Sequence, residues 1–184
     1  MNTPGTPEFL EMLERWHDVF LLTGTAAVTL IGLLFVSLSF NLDVILHESR
    51  AHLLALARQS FFGFIYVMLV SLFCLEPAWR PRTLGVTLIA LGALLSLFWL
   101  RHLFDMRRGD HSDIGRRTIL LRALFGVLAA TLLVLGGLGM IRGAPDALHL
   151  VTLALIFLLA TGARSAWDLL VRVGRVKETL LPKR

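Results

Sequence analysis

The sequence predicts an all-α integral membrane bundle of about five transmembrane helices, led by an N-terminal interfacial amphipathic helix. Three observations carry that expectation. Of the 184 residues, 56% are hydrophobic and the mean hydropathy is +0.74. Only 17% are charged, against roughly 25% in soluble domains. The apolar residues come in long runs separated by short clusters of Arg, Asp, Pro and Gly, and Lys and Arg gather on alternate connections. A soluble fold of this size has too little interior to hide so much apolar surface, so hydrocarbon is the solvent these runs fit.

Thr6, Pro7 and Glu8 read as an N-cap, a proline at the first helical position and an acidic first turn. In the helix they open, Phe9, Leu13, Trp16 and Phe20 recur at helical spacing, while Glu8, Glu11, Glu14 and Asp18 occupy other faces. Such a segment suits the membrane surface, with Trp16 at headgroup depth. No basic stretch precedes the first apolar run, so a cleaved signal peptide is not expected.

The whole chain, 1–184, reads as one transmembrane domain with spans at about 19–40, 56–75, 83–104, 118–140 and 148–171. The segment from Leu42 to Ala57 lacks Pro and Gly, which lets the second helix begin as early as Leu42. Pro77 and Pro81 stop it, and Trp79 marks an interface. Arg142, Gly143, Ala144, Pro145 and Asp146 leave room only for a tight hairpin between the last two spans.

With five spans, Arg15, Arg80, Arg82 and Arg142 share one side and the other 14 of the 18 Lys and Arg residues share the opposite side. That bias predicts a bacterial inner-membrane protein with its N-terminus outside and its C-terminus in the cytoplasm. It also explains the net charge of +5 and the pI of about 10.6 without nucleic acid as a partner. Cys74 is the single cysteine, which excludes an intrachain disulfide and fits a small buried hydrophobe.

The first span carries a patterned face. At about 100° per residue, Thr25, Val28, Thr29, Gly32, Val36 and Ser39 share one side, while Ala27, Ile31, Leu34 and Leu38 share another. Small and hydroxyl side chains let helix backbones approach closely in lipid, so the first group reads as a packing seam. The sharper alternative is the lining of a water-filled path in an oligomer, with hydroxyl oxygens offered to an ion. Asn41, beside Asp43, either caps the helix end or adds to a polar ring at a pore mouth.

Arg58, Arg122 and Arg164 lie inside the apolar runs near the ends predicted to be cytoplasmic. Snorkelling to lipid headgroups accounts for them. Joined by Arg101 and Arg108, they also suit a basic vestibule that gathers anions. His102, Asp105, Asp110, His111 and Asp113 cluster in one connection and His47, Glu48 and His52 in another, but neither group has the spacing of a zinc-binding helix. No nucleophile elbow or phosphate-cradling glycine loop is present, so neither an enzyme nor a cofactor or metal site is expected.

The run Trp16, His17, Asp18, Val19 and Phe20, followed by Thr25, Ala26 and Ala27 and by the stretch from Leu30 to Leu42, resembles a group of small, largely uncharacterised bacterial multi-pass membrane proteins. Leu75, Glu76 and Pro77 extend the likeness to the end of the second span. Some members are labelled modulators of the FtsH-type membrane protease. The resemblance implies a small membrane protein that serves a larger partner, and it carries no site residues with it.

Three functions suit these features. The first is a homo-oligomeric pore or ion channel lined by the first span. The second is a non-conducting accessory or regulatory subunit of a larger membrane complex such as a membrane protease. The third, a small-solute transporter, has little to work with, since no carboxylate lies deep in a span to couple ions.

Overall fold

The computed structural model describes residues 7–41, 51–76, 80–108, 116–144 and 146–180, and these form five α-helices. They are α1 (Pro7–Ser39), α2 (Ala51–Leu75), α3 (Pro81–Arg108), α4 (Arg116–Arg142) and α5 (Ala147–Leu180). No strand occurs among the described residues. Each helix contains a stretch long and apolar enough to cross a membrane: Glu14–Ser39, Leu53–Leu75, Pro81–Arg101, Ala123–Arg142 and Ala147–Arg175. The chain is a multi-pass membrane protein.

Helix ends follow the local chemistry. Pro7 and Pro81 stand at first helical positions, where proline lacks a donor that would be unpaired anyway. α1 then runs unbroken for 33 residues, about 50 Å at 1.5 Å per residue. The amphipathic segment expected at the membrane surface is therefore the opening turns of α1 and not a separate helix. The early start expected for the second helix falls on residues 42–50, outside those described, as does Trp79. α5 continues past the expected end of the fifth span, reaching Leu180.

The hairpin between α4 and α5 closes as its sequence predicts. Gly143 takes φ of +74°, its N–H donates to the Met140 carbonyl at 3.2 Å, and the Ala144 N–H donates to the Gly139 carbonyl at 2.9 Å. These two bonds satisfy carbonyls that the end of α4 would leave unpaired, and only glycine adopts that backbone without steric cost.

In space the helices run in the order α1, α2, α5, α4, α3, each packed along the next. The row curls, so that α2 and α3 touch lightly and α1 reaches α5. At that second contact the Trp16 ring meets His149 edge-on at 4.6 Å, which sets the start of α1 beside the α4–α5 hairpin. The main buried cluster, which includes Phe20, Leu88, Leu133 and Leu155, joins all five helices. A second, including Leu34, Leu53, Phe64 and Leu169, joins α1, α2 and α5 toward the arginine-rich end.

Glycine sets the closest crossing. A Cβ on Gly137 of α4 would stand 2.6 Å from the Gly85 carbonyl oxygen of α3, and one on Gly85 would stand 2.7 Å from that of Gly137. Lipid tails are as apolar as leucine, so helices in a bilayer gain by backbone approach and dense packing rather than by leaving water. Gly137→Ala should therefore force α3 and α4 apart and cost about 1–3 kcal/mol, read as a lowered unfolding temperature in mild detergent. Gly143→Ala, which strains one residue without touching the seam, should cost about 1–2 kcal/mol.

Candidate functional site

α1 lies at one end of the row, and it is the helix least covered by the rest of the chain. Of the residues in its most apolar window 17% are buried, against 33–44% in the other four spans. Its inward side is Phe20, Ala27 and Leu34, fully buried, with Leu30, Ile31 and Leu38 packed beside them. One turn before the end of α2, the Thr23 hydroxyl lies 2.9 Å from the Val19 carbonyl and 3.1 Å from the Ser71 hydroxyl of that helix. With the Thr23 proton given to its own helix, Ser71 donates to Thr23 Oγ1 and ties the two helices. A Cβ on Gly24 would stand 3.1 Å from Ser71 Cβ, so α1 and α2 approach closely there.

The opposite stripe, Thr25, Val28, Thr29, Gly32, Val36 and Ser39, is exposed along its whole length, and Asn41 is half-buried. Nothing lies within 4 Å of a Cβ built on Gly32. Thr29 donates to the Thr25 carbonyl at 2.9 Å, Ser39 to the Phe35 carbonyl at 2.9 Å, and the Asn41 amide to the Ser37 carbonyl at 2.8 Å. Their donors are thus satisfied within the helix, while the oxygens of Thr29 and Ser39 keep lone pairs facing outward. The seam that α1 uses within the chain combines Thr23, Gly24 and Ala27 with aliphatic residues, and the stripe from Thr25 to Ser39 is on the side turned away.

Arg58, Arg101 and Arg164 are all exposed and stand toward the same, arginine-rich end of the bundle. The Arg58 guanidinium lies 5.9 Å from the centre of the Phe62 ring, within the range of a cation–π contact. The side chains of Arg108 and Arg122 are outside those described, as are those of His47, Glu48, His52, His102, Asp105, Asp110, His111 and Asp113. Among the described residues no three His, Cys, Asp or Glu side chains come together. Cys74 is buried on α2.

One cavity was not anticipated from the sequence. Between α2, α3 and α5, toward the arginine-rich end, lies a cleft of about 110 Å³. Gln59, Phe62 and Tyr66 form one wall, Phe98 and Trp99 the facing wall, and Thr161 and Ser165 lie between them on α5. Gly63 and Gly162 leave room for it, the two backbones approaching so closely that a Cβ on Gly63 would meet Gly162 Cα at 3.9 Å. The Tyr66 hydroxyl donates to the Leu91 carbonyl of α3 and joins the two walls at the deep end. At the mouth the rings of Phe62 and Phe98 are 5.9 Å apart.

Two signals in the sequence pointed here without being decisive. Tyr66 is the single tyrosine of the chain, set in an apolar helix, and Gln59 is a polar residue one position beyond Arg58. Neither predicts that α3 will come to face α2. No family model, curated protein or solved structure matches the chain.

Trp99 holds its place because α4 offers a bare backbone behind it. A Cβ on Gly126 would fall 2.0 Å from the indole. Gly126→Ala should push the ring into the cleft, changing the near-UV circular dichroism of tryptophan and lowering the unfolding temperature. Gly32→Ala, which faces open space within its own chain, should leave the tryptophan signal unchanged.

Proposed function

We propose that the protein is a homo-oligomeric pore or ion channel of the bacterial inner membrane, lined by α1. The observation that carries this reading is the inversion on α1, with aliphatic residues turned toward the chain's own core and Thr25, Thr29, Gly32 and Ser39 turned away from it. A helix side destined for lipid gains nothing from glycine, which weakens a helix by about 1 kcal/mol relative to alanine. Placed against other copies around an axis, the same side gives close approach at Gly32 and a file of hydroxyl oxygens for a partly dehydrated ion. A closed ring forms when the two flanks of the stripe meet head to tail between neighbouring copies, with its centre turned toward the axis.

The arrangement of Lys and Arg sets the proposed orientation, N-terminus outside and C-terminus in the cytoplasm. Arg58, Arg101, Arg108, Arg122 and Arg164 then face the cytoplasmic mouth, where they bind headgroups or bias the ions that approach. No catalysis is assigned to the chain.

The same outward stripe also supports a second reading, an accessory subunit that packs on a larger membrane complex such as a membrane protease. Reconstitution separates the two. For a pore, purified protein in planar bilayers should conduct, Thr29→Leu or Gly32→Leu should reduce the unitary conductance at least tenfold, and the solubilised particle should have the mass of several chains. A silent monomer that co-purifies with one larger membrane protein would contradict the pore and support the accessory role.

A further inference from the structure

We propose that the cleft between α2, α3 and α5 is a binding site for an anionic glycerophospholipid, which places one acyl chain between the aromatic walls and its phosphate between Arg58 and Arg101. The first reason is an exception in the hydroxyl bonding. Thr23, Thr29, Ser39, Ser60, Thr87, Ser96, Thr131 and Thr161 each donate to the carbonyl four residues earlier on their own helix. Ser165 and Thr152 do not, and of these two hydroxyls Ser165 lines the cleft. The Ser165 residue is 1% exposed and its Oγ has no hydrogen-bond partner among the described residues. A buried donor left in that state costs about 1–3 kcal/mol, so the site calls for an acceptor, and an ester carbonyl is an uncharged one of the right kind.

Shape and charge supply the rest of the chemistry. Phe62, Tyr66, Phe98 and Trp99 offer flat apolar walls, and a cleft of about 110 Å³ suits a few methylenes, since an apolar cavity of roughly 150 Å³ admits benzene. Phe62 and Phe98, on facing helices, are partly exposed and in ring contact at 5.9 Å across the mouth, so the two rings must part to admit a chain. The deep end is closed by the bond from Tyr66 to the Leu91 carbonyl, so the cleft takes only the methylenes next to the ester and the rest of the chain stays in the bilayer. Arg58 stands one turn from Phe62 on α2, and Arg101 one turn from Phe98 on α3, both exposed and both on the headgroup side of the aromatic pair. Two guanidiniums at that level match one phosphate, with Gln59 and Ser165 a step deeper for the ester oxygens.

Trp99 reports directly on this cleft. In a chain whose other tryptophans are removed by Trp16→Phe, Trp79→Phe and Trp167→Phe, fluorescence should be quenched by phosphatidylglycerol brominated on its acyl chains about fivefold more effectively than by brominated phosphatidylcholine at equal mole fraction. A companion chain that keeps only Trp167, which is 67% exposed, should be quenched equally by both. Adding Arg58→Gln and Arg101→Gln to the Trp99 chain should remove the preference while leaving quenching in place. Equal quenching of Trp99 by the two lipids, no quenching by either, the same preference at Trp167, or a preference that survives the two glutamines would each overturn the proposal.

Discussion

Inside a bilayer there is no water to accept an unpaired N–H or C=O, and that single constraint governs the chain from Pro7 to Leu180. Every crossing segment must satisfy its backbone internally, so the described structure is helix joined by short connections. The same solvent removes the usual reason for helices to associate, because a leucine against lipid loses little compared with a leucine against another helix. What remains is close packing. Gly85 against Gly137, Gly63 against Gly162, and Gly24 against Ser71 bring backbones together at three separate crossings, and the Ser71 to Thr23 bond adds a polar tie at the third. Fully buried leucines and valines then fill the space those crossings define.

From that rule the peculiarity of α1 follows. Elsewhere in the bundle Gly85, Gly92, Gly136, Gly137 and Gly162 are where helices meet, and on α1 Gly24 and Ala27 serve this purpose. The stripe from Thr25 to Ser39 has the composition of a crossing and, among the described residues, no helix of its own chain across from it. α1 also ends the spatial row, so another helix can reach that stripe without displacing anything. The cleft arises from the same geometry at the other side of α2. Because the row curls without closing tightly, α2 and α3 are joined through Tyr66 at one level and leave the cleft beside it.

Much of this was legible in the sequence, for identifiable reasons. Span positions follow from apolar runs and their charged borders, which are local properties. Pro7, Pro81 and Gly143 mark element ends through backbone chemistry that needs no tertiary context. The two faces of α1 were separable by angle, but which of them turns inward was not, because both can pack and only the position of α2 decides. Gly85, Gly92, Gly136 and Gly137 stand in apolar spans, where glycine permits close approach. That Gly85 meets Gly137 depends on the register of the α3–α4 hairpin. The cleft was the least legible, since Ser165, Trp99 and Gln59 come from three helices far apart in the chain.

The central claim is that the outward stripe of α1 meets the same stripe on another copy. Oxidative cross-linking in native membranes addresses it most directly, in a chain carrying Cys74→Ala so that one thiol is present at a time. With Gly32→Cys, disulfide-linked dimers should form within minutes of adding a mild oxidant, while Ile156→Cys, exposed on α5, should leave the chain monomeric. Dimers at Ile156 and none at Gly32, or equal yields at both, would contradict the assignment of α1 as the association surface.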